Sequence, residues 1–285
     1  MNIRRITKWL TTAALLLALI CSLVLPAAAA FRHTTLYIHG KRLVATPDVC
    51  RIGEVTYVPL RPFVEALDDT AEFSWNQERQ TATVTAHWLE IKVPQDSCYI
   101  IANGRYLYGA GKVKNQNGSI MVPLAPMAKA FGVEADWDPE TETAYITGEP
   151  DPINPDWAFY NEDTLYWLSR IVYSEAGIEE LEGQIAVAQV VLNRVASSCF
   201  PSSVYDVIFD NRGGVQFSPT ANGTIYQDPS REAVIAAKLA LDGADVVGDS
   251  CYFMNPDLAD EGWFERNCEY VTTIGGHRFY REGLW

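Results

Sequence analysis

The sequence predicts an α+β protein: a small N-terminal α+β module with an internal two-fold repeat, then a mainly helical domain with a small β-sheet. Three observations predict it. The block TYVPLRPFVEAL at 56–67 returns as IMVPLAPMAKAF at 120–131, sixty-four residues later. The segment 149–157, EPDPINPDW, combines proline and acid with almost no apolar content, the composition of an extended linker. Beyond it, apolar residues recur at helical spacing through four segments before strand-like runs close the chain.

Residues 1–30 precede all of this. Arg4, Arg5 and Lys8 begin a segment whose apolar core runs from Ala13 to Leu25 and ends in Pro26 and four alanines. That is the layout of a secretory signal, with a core short for a membrane span. The expected organisation is therefore a signal peptide at 1–30, an accessory module at 31–148, a linker at 149–157 and a second domain at 158–285. The exported compartment permits disulfides, and five cysteines follow the signal, so at least one thiol has no partner within the chain. Cys251 and Cys268, on segments that read as neighbouring strands, are the expected pair.

Each repeat of the first module reads as a strand, a glycine turn and a strand, then a short helix starting near a proline, then a hairpin with a tryptophan at its corner. YIHGKRL at 37–43 mirrors IANGRYL at 101–107, and Trp75 and Trp137 precede the strand patterns TATV at 81–84 and TAYI at 143–146. The expected core is Leu60, Phe63, Leu67, Leu124, Met127 and Phe131. In the second domain, Leu165, Leu168, Ile171 and Val172 give one apolar helical face that runs into YSEAG at 173–177, with Gly177 as the stop. A second helix is expected over 181–196, a third after Pro201, and a fourth capped by Asp228-Pro229 and stopping at Asp242-Gly243. A loop spans Asn211 to Gln227. Cys251 to Met254 reads as a strand, and VTTI-GG-HRFY at 271–280 as a hairpin.

With 36 acidic against 22 basic side chains and a net charge of −14, the chain lacks the clustered cations that nucleic acid requires. The signal holds three basic residues and no acid. Residues 31–148 carry a net −3, so most of the acidity belongs to residues 149–285, at −14. No C-x-x-C zinc spacing, phosphate loop or G-x-S-x-G elbow is present, and His33, His39 and His87 lack ligand-like spacing. Neither a metal nor another cofactor is expected.

One residue has chemistry suggested by its position. Glu175 falls in the last turn of the first long helix, where the macrodipole disfavours a negative charge, beside an apolar face that would desolvate it. Both effects raise a carboxyl pKa, and a carboxylic acid kept protonated near neutrality is a proton donor. A solvated glutamate before a loop is the competing reading.

Two resemblances bear on that choice. The paired V-P-L-x-P motifs and their tryptophan hairpins make residues 31–148 resemble the copper-amine-oxidase N-terminal-like domain, a non-catalytic accessory module of secreted bacterial proteins. LSRIVYSEA at 168–176, EGQIAVAQVVLNRV at 182–195, QFSP at 216–219 and IGGHRFY at 274–280 resemble the SleB/CwlJ family of bacterial cell-wall and spore-cortex-lytic enzymes. Phe253, Asn255 and Pro256 match the strand and Asn-Pro element of that family. The chain has Gly-Ile-Glu where the family usually has Arg-Gly-Glu after the S-E-A block.

This second resemblance implies a lysozyme-like, mainly helical catalytic domain with Glu175 as the catalytic acid. The implied activity is a lytic transglycosylase acting on peptidoglycan glycan strands outside the cytoplasm, in spore-cortex lysis during germination or in wall remodelling. Gln216, Phe217, Ser218, Tyr252, Asn255 and His277 offer amide, ring, hydroxyl and imidazole groups suited to holding N-acetyl sugars, and stand as the candidate substrate contacts. A wall polymer or protein partner is expected for the first module. Two alternatives stand beside this reading: a muramidase using a second carboxylate (Glu179, Glu180 or Glu182), and a non-catalytic wall-binding protein.

Overall fold

The computed structural model describes residues 31–258 and 262–283, so the expected signal peptide lies outside the described residues. The first half of the chain runs β1 (Phe31–His33), β2 (Thr35–Ile38), β3 (Lys41–Arg42), β4 (Cys50–Ile52), β5 (Val55–Pro59), α1 (Leu60–Leu67), β6 (Glu72–Asn76), β7 (Thr81–Ala86), β8 (Leu89–Pro94), β9 (Tyr99–Ala102), β10 (Arg105–Tyr108), β11 (Lys114–Gln116), β12 (Ser119–Pro123), α2 (Leu124–Phe131), β13 (Glu134–Asp138) and β14 (Thr143–Thr147). These strands form three sheets, ordered β1-β4-β5-β12-β11, β10-β9-β8-β7-β6 and β13-β14-β2-β3.

The two V-P-L strands pair with each other. β5 and β12 are antiparallel, with Val58 opposite Val122, Pro59 opposite Met121 and Pro123 opposite Tyr57, so the pairing is symmetric about the two valines. Pro59 and Pro123 then start α1 and α2, supplying a fixed φ and no donor where a helix leaves its first N–H groups unpaired. β2 with β3 and β9 with β10 turn through His39-Gly40 and Asn103-Gly104, both pairs with positive φ, the geometry that tight hairpins favour. Leu60, Phe63, Leu124, Met127 and Phe131 are buried in one cluster, with Leu67 packed at its edge. Phe63 and Phe131 meet edge to face, 6.3 Å apart.

The proline-rich segment runs along this first part rather than free of it. The Asp151 N–H donates to the Phe131 carbonyl at 2.9 Å, and Ile153 packs against the first core. Its last residues begin a short helix, α3 (Asp156–Phe159).

The second half runs α4 (Glu162–Ala176), α5 (Leu181–Ala196), α6 (Val204–Ile208), α7 (Ser218–Asn222), a 3-10 turn (Thr224–Tyr226), α8 (Arg231–Leu241), β15 (Tyr252–Met254), α9 (Gly262–Asn267), β16 (Cys268–Ile274) and β17 (His277–Glu282). The expected loop over 211–227 thus holds α7 and the 3-10 turn. Asn161 caps α4 by accepting from the Thr164 N–H at 2.9 Å. The cap of α8 is Ser230, whose Oγ accepts from the Ala233 N–H, whereas Asp228 pairs with Arg170 at 2.8 Å. The expected Asp228-Pro229 cap therefore sits too early. α5 is buried from Gly183 through Val191 and packs on α4 and α8, which makes it the central helix of the second core.

Arg194 and the amides of Gln189 and Asn193 tie α5 to the chain leading into β15. Gln189 donates to Asp245 and to the Gly248 carbonyl, Asn193 to the carbonyls of Gly248 and Ser250, and Arg194 Nε to that of Cys251 at 2.7 Å. The sheet they support is ordered β15-β17-β16. β17 lies between the strands of Cys251 and Cys268, so these cysteines do not sit on neighbouring strands, and both thiols are free. Two strand spacings separate them by about 9–10 Å, beyond the roughly 7 Å that a disulfide spans between Cα atoms.

The halves touch through β10 and α8, with Tyr99, Tyr106 and Tyr108 packed against the second core. Among the described residues no helix is long and apolar enough to cross a membrane.

Candidate active site

Glu175 continues the stripe Leu168, Ile171, Val172 at i+7, i+4 and i+3, so it lies on the inward face of α4, whose apolar members are fully buried. No hydrogen bond or ion pair reaches its carboxyl group among the described residues. Burial alone pushes its pKa up, to about 7. A carboxyl group there is poised to give and take a proton near neutrality.

α4 stops at Gly177, as the sequence predicts. Gly177 keeps a right-handed φ of −62°, but a Cβ there would sit 2.4 Å from the Tyr173 carbonyl oxygen. The close approach demands glycine, and the chain then turns toward Glu179. The Glu179 carboxylate accepts from the Gly276 N–H at 3.2 Å, which fastens the β16–β17 turn four residues beyond Glu175. His277 Nδ1 lies 3.8 Å from Glu179 Oε1. Burial holds the imidazole pKa below its usual value, with the Glu179 charge opposing in part, so the ring is neutral at pH 7.

The structure brings several of the expected contacts together and separates others. Asn255 lies against the same turn, its Nδ2 within 3.4 Å of where a Cβ on Gly276 would be, and His277 packs on the Phe253 ring. Gln216 and Ser218 are exposed on the segment that packs against α4, where Ser174 donates to the Thr224 carbonyl. Phe217 departs from expectation. Its ring is 2% exposed and packs beside Phe253 and under the Arg194 guanidinium, so it has no free face for a sugar. Tyr252 also points elsewhere, toward Phe200, Trp263 and Arg194, as strand alternation from Phe253 requires.

Glu179 is the site residue that the sequence reading placed least well. It stood there as one of three candidate second carboxylates, yet its role in the fold is to grip the Gly-Gly turn. Glu182 faces the first half of the chain, where its charge and, more strongly, burial push the Tyr108 hydroxyl up to about 12. Among the described residues no group of three His, Cys, Asp or Glu side chains is placed to hold a metal ion.

Residues 178–280 match the cell wall hydrolase family, a span beginning three residues after Glu175, and residues 37–146 match the copper amine oxidase N-terminal domain. The catalytic domain of the germination-specific lytic transglycosylase SleB from Bacillus anthracis is 37% identical, with 97% of that chain and 43% of this one covered, at a TM-score of 0.40. Residues 178–280 are a cell wall hydrolase domain. Curated relatives include the spore cortex-lytic enzymes of Oceanobacillus iheyensis, 38% identical over 120 residues, and of Bacillus subtilis, 39% identical over 121. Each match covers 42% of this chain and, respectively, 42% and 38% of the relative, so the chain spans about two fifths of those relatives' length.

Proposed function

We propose that this protein is a secreted peptidoglycan-degrading enzyme, a lytic transglycosylase that cleaves the bond from N-acetylmuramic acid to N-acetylglucosamine. Glu175 carries the proposal: a carboxyl group on the apolar face of α4, without a partner among the described residues, whose pKa is lifted to about 7 by burial. In the protonated state it donates to the leaving glycosidic oxygen as positive charge develops at the muramic C1. The resulting carboxylate removes the proton from the muramic C6 hydroxyl, whose oxygen bonds to C1. One C–O bond breaks, one forms, and a 1,6-anhydro end results without water. His277 and Asn255, held beside the turn that Glu179 anchors, are the proposed sugar contacts, with Gln216 and Ser218 on the facing segment.

The relatives' names as spore cortex-lytic enzymes, and a net −14 over residues 149–285, favour cortex peptidoglycan over a strongly anionic vegetative wall. A signal at 1–30, an accessory module at 31–148 and a lytic domain at 158–285 complete the reading. The sixty-four-residue offset and the Val58–Val122 pairing support two copies of one unit in the accessory module. A muramidase is the second reading, favoured by one observation: Glu179 is a second, largely buried carboxylate near the site. Its oxygens are engaged by the Gly276 N–H, which favours a holding role over nucleophilic or base work. Mass analysis of muropeptides from purified cortex decides between them. Anhydro products, lost in Glu175→Gln, are expected; products heavier by one water would replace the transglycosylase with a muramidase.

A further inference from the structure

A cleft of about 650 Å³ in the first half of the chain opens between α1, β6 and the β11–β12 hairpin. Its floor is Phe73 and its wall is Trp75, 40% exposed on an edge strand. The Trp75 Nε1–H donates to Gln77 Oε1 at 2.9 Å, and Gln80 Nε2 donates to the Gln77 carbonyl at 2.7 Å. These bonds fix the indole while leaving the Gln77 amide N–H groups and the Gln80 oxygen without partners among the described residues. The Ser74 and Ser119 hydroxyls on the same lining are also unpartnered there. The single charge in the lining, Arg61, is laid over Phe73 at 4.0 Å and paired with Glu65 at 3.2 Å.

The proposed repeat supplies a comparison within the molecule. The matching positions of the second copy line a cleft of only about 200 Å³ beside Trp137. There the Arg51 guanidinium covers the indole, 4.4 Å from its centroid. The residue sixty-four positions after Arg51 is Asn115, which is too short to cover Trp75 and instead bonds locally to Gln95 and the Gly118 N–H. One copy is thus capped by arginine, and the other is open because asparagine stands in its place.

We propose that the open cleft binds a neutral, N-acetylated amino-sugar strand. The C–H face of a pyranose ring packs on a fixed indole, and acetamido and hydroxyl groups match free amide and hydroxyl partners in a lining of low charge. The choice of an amino-sugar polymer rests on the wall-lytic reading above. Trp75 lies on β6, four strands from β10, the edge that packs on α8. That is about 19 Å across the sheet, so a glycan is held at one site while another cuts it, which raises the local substrate concentration.

The test uses the full chain carrying Glu175→Gln, so that the substrate survives, with insoluble chitin and cellulose as probes. Binding is expected on chitin over cellulose. Adding Trp75→Ala or Asn115→Arg, which copies the cap of the other repeat, is expected to lower chitin retention about tenfold, the scale of one aromatic contact. Thermal melting of Asn115→Arg near that of its parent separates lost binding from lost folding. Equal retention on chitin and cellulose, or retention unmoved by both substitutions, overturns the proposal. Cleavage of short soluble muropeptides is read separately in the Glu175 background. Its absence in the wild type refutes the lytic reading without touching the chitin result.

Discussion

Arg105 on β10 and Asp242 at the C-terminal end of α8 meet in a buried ion pair, Nη2 to Oδ1 at 2.5 Å, across the contact between the two halves of the chain. Asp242 is 1% exposed at its side chain, and as a carboxylate at a helix C-terminus it opposes the macrodipole. Arg105 offsets that, the Tyr160 hydroxyl donates to the second oxygen at 2.5 Å, and Phe159 covers the guanidinium. Removing Arg105 leaves the buried carboxylate with Lys129, 3.4 Å away and part-exposed, so Arg105→Ala is expected to cost about 2–3 kcal/mol in denaturant unfolding, below the roughly 3–5 kcal/mol of a charge left wholly uncompensated. A double-mutant cycle with Asp242→Asn should return a coupling well above the roughly 0–1 kcal/mol of a surface pair.

Glu175 should control activity and stability in opposite ways. Activity that needs its protonated form falls as pH rises through about 7, and Glu175→Gln is expected to lose about 10²–10⁴-fold in kcat/KM. For stability, the folded pKa of about 7 exceeds the unfolded value near 4.5, so the folded state holds more protons between them and loses stability as pH rises across that window. Above it the charged carboxylate costs the fold about 3 kcal/mol. Melting curves should therefore show Glu175→Gln more stable than wild type at pH 8 and equal to it below pH 4.5.

The particular residues explain how legible this molecule is from its sequence. Periodicity put Glu175 on the inward face of its helix, because Leu168, Ile171 and Val172 recur along the same helix, but the resemblance of the S-E-A block singled it out as the acid. The V-P-L motifs carried α1 and α2 because a proline start is a local signal. Phe217 was misplaced because an aromatic beside polar residues reads alike whether its ring faces a cleft or a core; only the positions of Phe253 and Arg194, far along the chain, decide it. The cysteine pairing failed for a related reason, since strand order depends on β17 inserting between two segments that are closer in sequence. The Glu179–Gly276 contact spans 97 residues and had only the short S-E-A-x-x-E and G-G-H words to announce it.

His277 should make the protein acid-sensitive. Burial lowers its folded pKa below the unfolded value near 6.5, so the unfolded chain binds the additional proton and stability is lost as pH falls through that range. Glu179 opposes the shift through its charge, so removing it leaves burial unchecked. Glu179→Gln is expected to lower the His277 titration midpoint further, measured by NMR of the imidazole protons, whereas a rise would mean that Glu179 does not face the ring.

The Gly275–Glu179 contact makes the sharpest structural prediction. Gly275 has a φ of +57°, and a Cβ there would stand 1.8 Å from Glu179 Oε2. Gly275→Ala therefore adds a left-handed strain of about 1 kcal/mol to a collision. Because the colliding atom ends a flexible side chain, the expected response is that Glu179 swings away and releases the turn, rather than global unfolding. Thermal melting should drop by a few degrees while turnover falls further, because His277 and Asn255, the proposed sugar contacts, lose their placement at the turn. Glu179→Ala in the same chain removes the collision, so the double variant should regain the melting temperature lost to the clash while turnover stays low. Recovery of both would make the glutamate an obstacle in the turn instead of its anchor, and recovery of neither would put the cost of Gly275→Ala in the backbone alone.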